Sequence, residues 1–209
     1  TCALPISLSP WHTVVAAPAT QTRRWQINPF PLGVASGRPR ADSVVLWTRL
    51  LLSEEDRAVG IEALRVDVEV FADAALQRRV QKTEVVTDDA RGHSVHVHLQ
   101  HLQPSTDYWY RFKQGDALSA VGHTRTAPAL NADVRQLRIA LSSCQHYEQG
   151  LFVAHQDIAQ QQLDFVLFMG DYIYESSNPQ YAVRQHKGDE PKTLTEYRER
   201  YEQYKRDPM

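Results

Sequence analysis

The sequence predicts a β sandwich followed by the start of an α/β sandwich, and three observations carry that reading. Between residues 43 and 126, short strand-like runs alternate apolar and polar residues and are separated by turn residues. After residue 136 the strands become continuously apolar and are joined by a helical pattern. Between the two regions lies "APALNADVRQ" (127–136), which has no period and is rich in Ala, Pro, Asn and Asp.

The first region supplies six strands. "SVVLWTRL" (43–50) is β-branched and aromatic. "LRVDVEVF" (64–71) puts Leu64, Val66, Val68 and Val70 on one face and Arg65, Asp67 and Glu69 on the other. "KTEVVT" (82–87), "HSVHVHLQHL" (93–102), "DYWYRF" (107–112) and "VGHTRT" (121–126) complete the set. Strands this short, at this spacing, fit a sandwich. "LQPSTDYWYRF" (102–112) resembles the tyrosine-corner segment of fibronectin type III domains.

In the second region, "LRIALSSC" (137–144) and "DFVLFM" (164–169) read as buried strands. "LFVAHQDIAQQQ" (151–162) between them sets Leu151, Ala154 and Ile158 at helical spacing. Strand, helix, strand is a βαβ unit with a parallel pair. After a polar loop, "TLTE" offers a capping box of Thr193 and Glu196. It opens a helix whose stripe, Leu194, Tyr197, Tyr201 and Tyr204, should face a core. The division is therefore 1–27 as a signal-peptide remnant or disordered terminus, 28–127 as the β sandwich, and 137–209 as the incomplete α/β domain.

The totals exclude several classes. A chain of 209 residues with 42% hydrophobic residues is globular in composition. Its formal charge of -2 gives no reason to expect nucleic acid or an anionic membrane as partner. No apolar run approaches the ~18 residues of a transmembrane segment. The opening "VVAAPA" is compatible with the end of an export signal, but no charged n-region precedes it. Two cysteines, Cys2 and Cys144, do not make a disulfide framework.

Chemistry concentrates where the two apolar strands stop. Ligands in open α/β sheets bind beyond the carboxyl ends of the strands. One strand ends "SSCQHYEQG" and the other "GDYIYE". If the strands are neighbours, Cys144 comes near Asp171 and Tyr174. A carboxylate can bridge two cations. A phenol, with its pKa of ~10, needs a strongly charged ion to displace its proton. Gly170 allows close backbone approach. The bland alternatives are a buried, inert Cys144, a packed Tyr172, and a satisfied or exposed His146. His93, His96, His98 and His101 are placed as on a solvated strand face rather than as a zinc set.

The chain resembles the N-terminal part of PhoD-like phosphatases, the alkaline phosphatase D or phosphodiesterase family. The matching stretches are "FPLGVASGRPRADSVVLWTRL" (30–50), "LSSCQHYEQGLFVAHQDIAQQQLDFVLFMGDYIYE" (141–175) and "TLTEYRERYEQYKRDP" (193–208), within a resemblance covering residues 28 to 208. The resemblance implies a fibronectin-like domain followed by a metallophosphoesterase domain that hydrolyses phosphate monoesters or diesters, with ferric iron (Fe3+) and calcium (Ca2+) as cofactors. It implies a periplasmic or secreted location. By the same match Cys144, Asp171 and Tyr174 are the catalytic and metal-binding residues, with Asp171 also bridging iron to calcium. The sequence departs from the family at Gly37-Arg38-Pro39, often "GDP", and at His146, often Asn. The family pattern continues beyond "YKRDP" into further His and Asp ligands. The expectation is that these 209 residues hold half of a metal site and, alone, retain metal weakly, hydrolyse phosphoesters barely and tend to aggregate. Two rival functions are a covalent Cys144 nucleophile and a non-catalytic β-sandwich binding module carrying a phosphatase remnant.

Overall fold

The computed structural model describes residues 23–58, 60 and 63–208. Two antiparallel sheets face each other. One contains β1 (Val34–Gly37), β2 (Val44–Arg49) and β5 (Ser94–Leu99), in the order β1-β2-β5. The other contains β3 (Ala63–Phe71), β4 (Arg79–Asp88), β6 (Asp107–Gln114) and β7 (Ala117–Leu118), in the order β4-β3-β6-β7. Strand β8 (Gly122–Arg125) also pairs with β6. A short helix, α1 (Glu54–Ala58), joins β2 to β3.

The period-two pattern decides which residues face inward. Leu46 lies opposite Val97, and Val68 opposite Phe112. All four side chains are buried in one core with Val44, Val66, Val70, Val95, Leu99 and Tyr110. Each such side chain contributes about 1.5–3 kcal/mol through removal from water. The tyrosine corner is present: the Tyr108 hydroxyl, on a buried side chain, accepts from Gln103 N–H at 2.9 Å. "VASG" at β1 was not read as a strand because its small residues give no strand signal.

The export-signal reading falls on residues outside the described ones. From Arg23 onward the chain is tied to the sandwich. Trp25 packs against the core, and its Nε1 donates to Gln114 O at 3.0 Å. A fragment of residues 23–127 should therefore fold by itself. Circular dichroism should show a β spectrum with a cooperative melt, whereas a disordered spectrum would show that the later residues are required.

Beyond the exposed residues 128–138, β9 (Ile139–Ser142), α2 (Val153–Gln160) and β10 (Phe165–Phe168) form the expected parallel unit, with Ala140 opposite Val166 and Leu141 opposite Leu167. Burial differs from expectation. These strands were read as buried, yet Leu141 is 61% exposed and Phe165 38%. Two strands with one helix leave apolar surface that neither sandwich sheet covers.

The last helix, α3 (Leu194–Lys205), begins with the predicted capping box: Thr193 Oγ1 accepts from Glu196 N–H, and Glu196 Oε2 accepts from Thr193 N–H. Its tyrosine stripe is only partly buried. Leu194 and Tyr197 are exposed, while Tyr201 meets the Trp47 ring edge-on at 6.2 Å and Tyr204 is buried. Lys205 lies over the same Trp47 ring at 5.3 Å, and Arg49 Nη1 donates to Arg198 O at 3.2 Å. The helix thus docks on the outward face of β2, which the alternation left polar and aromatic.

Candidate metal centre

Strands β9 and β10 run in parallel, so both carboxyl ends lie at one edge, and hydrogen bonding between them continues past the strands. Met169 N–H donates to Ser142 O at 2.8 Å, Cys144 N–H to Gly170 O at 3.2 Å, and Gln145 N–H to Asp171 O at 3.2 Å. The two loops therefore leave the sheet already tied together. Each then turns through left-handed backbone, at Cys144 (φ 56°) and at Asp171 (φ 53°), next to Gly170 (φ 125°). Such conformations cost non-glycine residues about 1–3 kcal/mol and cluster at functional sites. Gly170 takes the φ that a side chain adopts least readily.

The turn brings the three predicted donors together. Cys144 Sγ donates to Asp171 Oδ2 at 3.4 Å, and the Tyr174 hydroxyl donates to the same oxygen at 3.0 Å. Cys144 is a free, exposed thiol rather than a buried hydrophobe. Desolvation, the Cys144 thiol and the Asp171 carboxyl all push the Tyr174 phenol above its ordinary range. As a neutral molecule it holds its proton firmly, and only a strong cation would remove it. The carboxylate and the phenol are hard oxygen donors and the thiol a soft one, and all three could act as anionic ligands once a bound cation displaces the thiol and phenol protons. Among the described residues, no three His, Cys, Asp or Glu side chains converge; the third donor here is a phenol.

The neighbouring residues pack or brace. Tyr172 packs between Phe168, at 5.0 Å, and Tyr201, at 5.5 Å. Gln145 Nε2 donates to Tyr172 O at 2.8 Å, and its Oε1 lies 2.7 Å from His155 Nε2 on α2. His146 is satisfied: its Nδ1 accepts from Glu148 N–H at 3.2 Å, and its ring lies 4.5 Å from that of Tyr174. Glu175 is exposed and accepts from the Tyr197 hydroxyl at 3.2 Å. The histidines weighed as a zinc set belong to the sandwich. His96 and His98 are exposed on β5, but His93 is buried in a left-handed turn rather than on that face. A cleft of about 1420 Å³ opens between Ser36–Pro39 of the sandwich and Phe168 and His155 of the α/β unit, and none of the three donors lines it.

A buried carboxylate lies in the loop after β9. Glu148 is 1% exposed. Its carboxylate accepts from the Ser177 hydroxyl at 2.8 and 2.9 Å, from Asn178 N–H at 2.8 Å and from His186 N–H at 2.9 Å. Burial works to raise its pKa, but the backbone bonds from His186 and Asn178 and the Ser177 hydroxyl outweigh it and pull the carboxyl down to about 2. Burial and the Arg200 charge pull His186 down to about 4. The sequence held one sign of this group, a Glu in "CQHYEQG" with no amphipathic helix to present it to water. Its partners Ser177, Asn178 and His186 lie about 30 to 40 residues later and could not be paired by eye.

Comparison with known proteins places both regions in one family. Residues 15–128 match the model of the PhoD-like phosphatase N-terminal domain, and residues 139–209 match that of the PhoD-like phosphatase. Alkaline phosphatase D of Bacillus subtilis (strain 168) is 40% identical over 210 residues, covering 98% of this chain and 36% of that protein. A solved structure of PhoD shares 41% identity and a TM-score of 0.83 over 89% of this chain and 37% of that one. The chain thus spans a little over a third of the length of both relatives. Family matches along both regions and 40% identity to a relative over nearly the whole chain lead to one conclusion: the chain belongs to the PhoD-like phosphatase family.

Proposed function

We propose that this chain contributes to a metal-dependent phosphoester hydrolase, acting on phosphate monoesters or diesters, in which Cys144, Asp171 and Tyr174 hold ferric iron. The observation that carries this reading is the meeting of Cys144 Sγ and Tyr174 Oη on a single oxygen of Asp171, at 3.4 and 3.0 Å, beyond two parallel strand ends. Asp171, with lone pairs on both carboxylate oxygens, would hold iron and calcium together. When bound, the pair of cations would supply Lewis-acid activation of water and of the phosphoryl group. The chain's own part is to present a thiol, a carboxylate and a phenol from the loops that follow two paired strands, the thiol and phenol becoming anionic donors once the cation displaces their protons. Cys144 is not proposed as a covalent nucleophile, because its thiol is committed to Asp171 and, among the described residues, it has no hydrogen bond to a histidine.

The test is metal content and colour together with hydrolysis of nitrophenyl phosphate, measured at the length of the relatives. Iron bound by the Tyr174 phenolate should colour the protein through a charge-transfer band, and Tyr174→Phe should bleach it. A protein that retains iron without colour would exclude Tyr174 as a ligand. Absence of both metal and hydrolysis would favour a β-sandwich binding module instead.

A further inference from the structure

Both main-chain groups of Tyr174 end on α3. Its N–H donates to the Tyr204 hydroxyl at 3.2 Å, and its C=O accepts from Arg200 Nη1 at 2.7 Å. Arg200 and Tyr204 are four residues apart, so they lie on one face of the helix. Each is 3% exposed. The same Tyr204 hydroxyl accepts from Tyr147 N–H at 3.1 Å, three residues beyond Cys144. One oxygen atom therefore joins the loop after β9 to the loop after β10.

The proton count around that oxygen is closed. A phenol has two lone pairs and one proton. The two N–H groups take the lone pairs, so the third contact, His186 Nε2 at 3.0 Å, receives the proton. The proton of neutral His186 then sits on Nδ1, which faces Glu148 Oε1 at 3.5 Å. A phenylalanine would fill the same space as Tyr204 but could make none of these bonds. The backbone-to-backbone hydrogen bonds between the two loops end at Gln145 N–H to Asp171 O, three residues short of Tyr174. Beyond it, Gln145 Nε2 holds Tyr172 O and the Glu148 carboxylate holds Ser177 and Asn178, on either side of Tyr174. The partners of Tyr174's own N–H and C=O are both on α3.

We propose that Tyr204, assisted by Arg200, is a positioning residue that sets the Cys144 and Tyr174 donors at their spacing about Asp171. This rests on the metal-centre reading above. It assigns the last helix a role toward the site, although α3 contributes no donor.

Amide hydrogen exchange and a ferric iron titration of the same samples test the proposal. In the parent, the amides of Tyr147 and Tyr174 should be protected. In Tyr204→Phe both should exchange roughly tenfold faster or more while β3 amides keep their protection. Iron binding should weaken roughly tenfold, with a shifted phenolate band. Tyr201→Phe, which removes the neighbouring hydroxyl on α3, should leave the band and both amides unchanged. A Tyr204→Phe protein with the parent's band and protection would overturn the proposal. If that variant does not fold, the parent decides: Tyr147 and Tyr174 amides exchanging at unprotected rates would overturn it equally. A parent that stays colourless with iron sinks the metal reading, and Tyr204's role toward metal with it. A coloured parent beside an unaffected variant sinks only the role of Tyr204.

Discussion

Glu148→Ala should cost about 3–5 kcal/mol of stability, the scale of removing one partner from a buried charged group. The carboxylate is 1% exposed and accepts from Ser177, Asn178 and His186, all of which would be left facing a cavity without a partner. Two of these donors are backbone N–H groups, which cannot turn away to find water. Glu148→Gln keeps the volume but points an amide NH2 at groups that are themselves donors, so it should recover only part of the loss. Urea or thermal unfolding measures both variants. The same site sets the acid limit. Glu148 falls from an ordinary 4.5 to about 2, so its contribution is whole above pH 4.5 and is lost as pH falls through 2. His186 falls from 6.5 to about 4, so the folded state favours its neutral form, and that contribution is whole above pH 6.5 and is lost as pH falls through 4. Both signs agree: stability should decline from about pH 6.5 downward, and Glu148→Ala should flatten the part of the decline below pH 4.5. An unchanged acid profile in the variant would show that the carboxylate is not the titrating group.

Asp171→Asn should reduce phosphoester hydrolysis about 10³-fold or more, roughly 4 kcal/mol of transition-state stabilisation, in the protein tested at the length of its relatives. The substitution is nearly isosteric, so the loss would be one of charge rather than packing. The group that receives Cys144 and Tyr174 would lose its negative charge, and one of its two oxygens would become an amide nitrogen. Folding should be little affected, because Asp171 is exposed and asparagine also tolerates its left-handed backbone, with φ of 53°. Bound iron should fall together with activity. Full turnover in a folded Asp171→Asn protein would show that the carboxylate is not part of the metal centre.

The sequence alone determined the sandwich and the parallel unit, because period two along a strand reports directly which side chains leave water. Leu64, Val66, Val68 and Val70 needed no partner to be recognised as one buried face. It also determined the capping box, whose two bonds lie within four residues, and it pointed to Cys144, Asp171 and Tyr174 as neighbours, because both strand ends carry distinctive polar residues. Tertiary structure decided what depends on distant partners. Periodicity placed Tyr204 on an inward face, but not its hydroxyl between the amides of Tyr147 and Tyr174, since those contacts span 57 and 30 residues. The burial of Glu148 depends on Ser177, Asn178 and His186, which lie too far along the chain for local pattern to pair with it. Leu141 and Phe165 read as buried because an apolar run carries no information about whether a second layer covers it. Local pattern fixes which face of an element avoids water; only the fold supplies the groups that meet that face, and hydrogen-bond geometry is decided there.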